Sequence, residues 1–311
     1  VSEMIRKRAA GLLGLAMAAG ALVQAAPATA STTDAAAVPF CQLVLGSTTS
    51  GGDLILRVLS GVTPPGASPS RWGGKDLLPD NQLRVASGIG TQTNAEQTGE
   101  SRLQYVVLGS TLNLLTYTVN GFAGEVDPAT VQRIPIGGGW GDVRYLESSR
   151  FNRDTTLIRQ NMYAVLGDNI VRWNIGEGTS FSRKTTYAGF SAVKTMTLIS
   201  QTATYDTFLA NTRAGALYTI RIPLTGKPVV KVVRRSTWQG FEALVADSCG
   251  NKTIVVGVDK ETGTPYLYEF GHANGTATVI KAFGKVPRTF SEAAYSRRFE
   301  DNQAYEQLFG E

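Results

Sequence analysis

The chain has 311 residues, 42% hydrophobic and 18% charged, with a formal net charge of +5, two cysteines and one histidine. That balance excludes a low-complexity disordered chain and gives enough apolar residues for a sizeable core. Arg6, Lys7, Arg8 and Glu3 carry a net +2 of the charge, and the +3 left is too mild an excess to call for a nucleic-acid partner.

At the start, Arg6, Lys7 and Arg8 precede the apolar run "AAGLLGLAMAAGALV", which ends at Val23 and is followed by "APATAS". A basic start, a short apolar run and the small residues Ala28 and Ala30 ahead of Ser31 predict a secretory signal peptide over 1–30. The run is shorter than the roughly 20 residues of a membrane span, and no later stretch qualifies, so no span is expected after cleavage. A flexible segment, 31–39, then leads into a single domain over 40–311, and the protein is expected outside the cell.

Next come "QLVLG" and "LILRVL", two strand-like runs, and a Pro/Gly-rich insertion, "VTPPGASPSRWGGKDLLPDN", expected to be a long surface loop. From there the chain repeats itself. Apolar, β-branched runs recur as "YVVLG", "YAVLG", "TFLANT" and "TIVVGV". Each is followed by turn residues and a run with a near-central aromatic: Tyr117, Trp173, Tyr218 and Tyr268. A further run, such as "TVQRIPI" or "FSRKTTY", leads to a glycine–aromatic pivot. Pivots fall at Gly139-Trp140, Gly189-Phe190, Gly240-Phe241, Thr289-Phe290 and, in degenerate form, Gly88-Ile89, so the intervals are 51, 50, 51 and 49 residues.

Runs of four to eight residues rich in β-branched and aromatic side chains are strands, and helical signals are nearly absent; a weak one lies in "NQAYEQLF". Four strands per fifty residues, repeated, predict an all-β fold, a five-bladed β-propeller of four-stranded blades. The first unit lacks a leading strand, while "SEAAYSR" is a spare strand after the last pivot. The C-terminal strand is therefore expected to complete the first blade and close the ring, removing two exposed edges. A sixth, poorly preserved blade between Gly61 and Ser101 is the alternative count. Cys41 and Cys249 are the candidate disulfide of an exported chain. They are read as lying on the first and fourth blades, which are not neighbours in a five-membered ring, so their pairing stays open.

The unit "MYAVLGDNIVRWNI", Met162 to Ile175, with its aspartate-bearing turn, central aromatic and glycine–aromatic pivot, resembles the tachylectin-type five-bladed propeller lectins. The likeness runs roughly over 40 to 298, with the turn aspartate clear at Asp168 and looser at Asp259. It implies repeated sites for N-acetylated sugars, hence a glycan or cell-wall polysaccharide as partner.

From the residues themselves, the turns between second and third strands share a face with the inner-strand approaches. That face would carry Asp53, Asp168, Asn169, Arg213 and Asp259. Aromatic rings stack on sugar faces and short polar side chains bond hydroxyls, so Asp168, Asn169, Trp173, Tyr218, Asp259 and Trp140 are the candidate ligand-binding residues. The competing reading is that these periodic aromatics are blade core. Arg133, Arg183 and Arg234, each seven residues before a pivot, form either a basic belt or charges that keep an edge strand soluble. Asp142, Glu242 and Glu292 are candidate acids for glycoside hydrolysis, but their offsets from the pivots differ, so a non-catalytic binder is the first expectation. A protein-interaction scaffold is the third. With His272 alone, neither a metal nor a catalytic triad is expected, and no cofactor is.

Overall fold

The computed structural model describes residues 41–94, 98–120, 125–176, 179–300 and 308–311. The expectations for 1–30 and 31–39, and most of the weak helical signal at 302–309, lie outside these. The described residues are all-β, with only two short 3-10 turns and no α-helix among them, and no helix long and apolar enough to cross a membrane.

The chain opens with β1 (Gln42–Thr48) and β2 (Leu54–Ser60), an antiparallel pair, and the insertion adds β3 (Gly66–Ala67) and β4 (Arg71–Gly74), both on the outer side of β2. Then β5 (Leu83–Ala86) and β6 (Ile89–Thr93) both pair with β7 (Gly99–Leu108). Beyond β7 lies β8 (Thr111–Asn120), which carries β9 (Glu125–Val126) and β10 (Gln132–Gly137). Three regular four-stranded meanders follow. The first holds β11 (Val143–Arg153), β12 (Thr156–Leu166), β13 (Asn169–Ile175) and β14 (Phe181–Ala188). The second holds β15 (Val193–Gln201), β16 (Tyr205–Thr212), β17 (Leu217–Pro223) and β18 (Val229–Arg234). The third holds β19 (Ala243–Cys249), β20 (Lys252–Asp259), β21 (Thr264–Phe270) and β22 (Ile280–Lys285).

The last strand, β23 (Ala294–Glu300), returns to the start of the chain. It pairs antiparallel with β1, Leu45 opposite Arg297 through Thr48 opposite Ala294. It also pairs in parallel with β6, Arg298 opposite Ile89 to Glu300 opposite Thr91. The sequence predicts two separate blades here, but these bonds join β1–β10 and β23 into one eleven-stranded sheet. Among the described residues, the stretch from Gly61 to Ser101 forms no blade of its own: β3 and β4 belong to β2, and β5 and β6 to β7.

Apolar side chains cluster at the seams between consecutive groups of strands. Tyr105, Val107 and Leu112 meet Val143, Leu146 and Met162. Tyr163 and Val165 meet Met196 and Phe208. Ile199 and Leu209 meet Leu244 and Val255. Val245, Ile254 and Val256 then meet Leu43, Leu45 and Leu59, so the last sheet packs on the first strands. Leu54 meets Ile89 and Val106 at the remaining seam. Phe208 is wholly buried, and each side chain of that kind contributes roughly 1.5–3 kcal/mol.

One backbone motif repeats five times. Leu78, Trp140, Phe190, Trp238 and Phe290 donate their N–H groups to the carbonyls of Gly52, Ser110, Asp168, Gly215 and Gly263, at 3.2, 3.1, 3.0, 3.0 and 2.8 Å. Each acceptor lies in the turn before the third strand of the preceding group. Two predicted pivots therefore move. Gly240-Phe241 is displaced by Trp238, and Gly88-Ile89 by Leu78, which the insertion itself supplies. At three of the five, the residue before the donor has positive φ: Gly139 at 90°, Gly189 at 93° and Thr237 at 82°. Gly88 has a different task at the break between β5 and β6, where a Cβ would lie 2.9 Å from Phe299.

Cys41 and Cys249 form a disulfide, with Cα atoms 4.9 Å apart. The expectation that they sit on non-neighbouring units was a miscount. Cys249 ends β19, in the last sheet, and β19 lies beside β1.

Candidate functional site

The insertion builds a wide surface concavity. Within it, β4 forms an edge against β2, Trp72 opposite Ile55, and approaches β9 of the next group. Gly74 permits that approach: its φ is 154°, and a Cβ there would lie 2.7 Å from Leu77 and 2.8 Å from Val126. Arg133, on β10, ties the loop down by donating from Nε to the Leu77 carbonyl at 2.6 Å and from Nη2 to the Asp76 carbonyl at 2.8 Å. The result is a groove of about 900 Å³, with Ser70, Arg71, Trp72, Lys75 and Asp76 on one side and Glu125 and Val126 on the other.

Trp72 is 53% exposed, and the Lys75 ammonium lies 5.2 Å from its ring centroid. A large flat apolar ring held at the surface among cations and carboxylates presents both a stacking face and hydrogen-bonding groups. The repeat gave no signal for it, because Trp72 lies in the one segment with no counterpart elsewhere in the chain.

A second, smaller cavity, of about 70 Å³, is lined by the first strands of all five groups: Arg84 and Val85, Arg144 to Glu147, Thr195 and Thr197, Ala243 to Ala246, and Tyr295 with Arg297. These strands stand side by side in the order β5, β11, β15, β19, β23, and β23 lies against β5. Leu308 also lines it, held by mutual bonds between its backbone and Gln201. Deeper in the wall, Glu147 accepts from the backbone N–H of Gly88 at 2.8 Å, and burial pushes its carboxyl above the ordinary value. Asp247, paired with Arg297 at 3.3 Å, is raised for the same reason.

The candidate residues fall as follows. Trp140 and Trp173 pack on each other, tilted by 35° with ring centroids 5.2 Å apart, within the seam core, and Tyr218 packs into the next seam. Asp168 is exposed in the turn before β13, with Asn169 beside it half-buried. Trp173 lies four residues beyond Asn169 along an extended strand, about 13 Å away, so one small sugar does not span them. Asp259 caps its own turn, accepting from the Thr262 N–H at 3.0 Å, and that bond lowers its carboxyl's pKa. Asp53 likewise accepts from the Asp76 N–H.

The arginines predicted as a belt are not alike. Arg133 and Arg234 donate to backbone carbonyls of neighbouring elements, while Arg183 is exposed with φ of 50°. Of the candidate acids, Asp142 is exposed, Glu242 is ion-paired with Lys194, and Glu292 is buried against Arg57 at 2.5 Å. His272 is exposed in its turn.

No family model matches the chain, and no curated protein matches it. Among solved structures it is similar to an alpha-L-arabinofuranosidase from Podospora anserina, at 11% identity over 73% of this chain and 70% of that one, with a TM-score of 0.42. It is also similar to a lectin from Burkholderia pseudomallei, at 15% identity, 78% and 69% coverage and a TM-score of 0.39. A triple mutant of AofleA from Arthrobotrys oligospora gives 10% identity, 81% and 76% coverage and a TM-score of 0.42.

Proposed function

We propose that the protein is an exported five-bladed propeller, closed by its C-terminal strand, that binds carbohydrate without transforming it. The observation that carries the ligand class is Trp72, an exposed indole over a groove lined by charged and polar side chains. Sugar rings offer an apolar C–H face and a rim of hydroxyls, which an indole face flanked by Arg71, Lys75, Asp76 and Glu125 complements. The volume lies in the range of small-molecule sites. Export rests on the basic and apolar leader of the sequence, and a glycan or wall polysaccharide is the partner an exported binder would meet.

A glycan array on the mature chain, followed by titration of the best hit, tests this reading. Trp72→Ala is expected to raise Kd by about tenfold or more, some 1.4 kcal/mol, with thermal stability unchanged because the ring is largely in solvent. The turn face is the competing location. If Asp168→Ala abolishes binding and Trp72→Ala leaves it intact, the site lies with Asp168 and Asn169. If no glycan binds, the carbohydrate reading is lost.

A further inference from the structure

Each regular meander leaves its first strand at one end of its sheet, so β11, β15 and β19 each pair with a single strand. A strand with an unpaired edge offers N–H and C=O groups to any extended segment that comes alongside. Among the described residues, β15 alone of the three has such a segment bridged to it. Residues 308–311, Leu-Phe-Gly-Glu, lie antiparallel to its end, with Phe309 opposite Ser200.

The backbone of this segment is fully engaged. Gln201 meets both groups of Leu308, donating its N–H to the carbonyl at 2.9 Å and accepting at Oε1 from the N–H at 3.2 Å. Gly310 donates to the Ile199 carbonyl at 2.8 Å and accepts from the Ala273 N–H at 2.7 Å. Three of the four side-chain positions have a place of their own. Leu308 is buried in the cluster that holds Leu198, Phe208 and Ile222. At Gly310 a Cβ would lie 2.3 Å from Thr253 Oγ1 and 2.7 Å from the Ile199 carbonyl oxygen, so a larger residue cannot seat without moving β15. Glu311 accepts from the Thr207 hydroxyl and pairs with Arg221, at 2.7 Å from Nη2 and 3.0 Å from Nε. Arg221 also lies over the Tyr205 ring at 4.4 Å, a contact that places the guanidinium whether or not Glu311 is there. Phe309, the alternate residue, is 54% exposed.

Backbone bonds along a sheet edge, with pockets for alternate side chains, are how sheets recognise extended peptides. We propose that the groove along the end of β15 is a peptide-binding site for an extended Leu-x-Gly-Glu segment, and that residues 308–311 occupy it as an in-chain ligand. The apolar cluster takes the leucine, the close approach to Ile199 and Thr253 requires the glycine, and Arg221 takes the carboxylate. An outside peptide enters only by displacing 308–311, so the segment restrains its own site. The glycan reading at Trp72 neither requires this site nor opposes it.

Calorimetric titration with the blocked peptide acetyl-Leu-Phe-Gly-Glu-amide, to about 10 mM, tests the proposal. The receptor is the full chain carrying Gly310→Val, whose own segment cannot seat. It should bind the peptide saturably, and the parent should bind it at least about tenfold more weakly, because its own copy holds the groove. Adding Arg221→Gln to Gly310→Val should weaken binding by about tenfold or more, and a peptide with valine in place of glycine should not bind. Deletion of 308–311 vacates the same groove and serves as receptor if Gly310→Val does not fold. No saturable binding by either variant, equal binding by the parent, equal binding of the valine peptide, or indifference to Arg221→Gln overturns the proposal. So does failure of both variants to fold, since the segment would then be part of the core and not a ligand.

Discussion

The three regular meanders, β11 to β22, and the fused sheet of β1–β10 and β23 share one repeating backbone motif but treat their surfaces differently. In the meanders, the aromatics of pivot and third strand turn on each other and into the seams, as in Trp140 on Trp173 at 5.2 Å and Trp238 on Tyr268 at 5.0 Å. In the fused sheet, the insertion supplies Leu78 as the pivot residue and leaves Trp72 in solvent. There Arg57, on β2, lies over the Phe290 ring at 4.9 Å and pairs with Glu292. Regularity thus spends aromatic rings on cohesion, and the departure from it frees one for a ligand.

If that contrast is right, the fused sheet depends on covalent help that the meanders do not need. The disulfide joins residues 208 apart, across the seam between the last sheet and β1. In the chain-entropy account, a loop that long stabilises by about 5 kcal/mol. Replacing both cysteines by serine, or reducing the parent, should lower the unfolding free energy in urea by up to that amount, with the m-value of the oxidised protein as reference. A change under about 1 kcal/mol would mean that the pairing of β23 with β1 holds the seam unaided.

Within the meanders, cohesion is polar as well as apolar. Asp206, on β16, is wholly buried and gathers Ser149 at 2.6 Å, Tyr163 at 2.7 Å and Arg159 at 2.7 Å from the sheet before it. Asp206→Ala strands a buried guanidinium and should cost about 3–5 kcal/mol, whereas replacing both Asp206 and Arg159 by apolar residues should cost less. Chemical denaturation of the single and double variants measures the difference. Neither change should alter glycan affinity at Trp72, which lies on the other sheet.

How much of this was legible in the sequence follows the same division. Runs such as "YAVLG" and "IVRWNI" name their strands because burial on one or both faces imposes β-branched and aromatic choices residue by residue. The pairing of 294–297 with β1 followed from counting strands. What was not legible depends on geometry that spacing does not encode. Thr237 adopts a φ that glycine was expected to mark, so the fourth pivot was placed three residues late. Trp173 and Trp140 look like sugar platforms in the sequence, but their rings pack on each other at 5.2 Å. Trp72 sits in an insertion with no repeat to set its exposure, and only the closeness of β4 to β9 shows that a groove exists there.

The finest probe of the comparison is pH, because the buried carboxyls of the meanders and the one on the fused sheet respond in opposite directions. Burial raises Glu147 above the ordinary 4.5 and Asp247 above the ordinary 3.8. A carboxyl with a raised pKa binds its proton more tightly folded than unfolded. Its ionisation therefore costs stability above the folded pKa, and that cost disappears as the pH falls toward the unfolded value. Glu100, on β7, is also raised by burial, but Arg102 and Arg298 outweigh that and hold it below 4.5. Its contribution is present above the ordinary value and is lost as the pH falls through the lower folded one. Melting temperature should thus rise slightly as the pH falls toward the ordinary carboxyl range, then fall in stronger acid. Glu147→Gln should flatten the first arm and leave the second, and Glu100→Gln should do the reverse. A parent whose stability falls steadily from neutrality would show that Glu147 and Asp247 ionise freely and that the interior between the first strands is wetter than its packing implies.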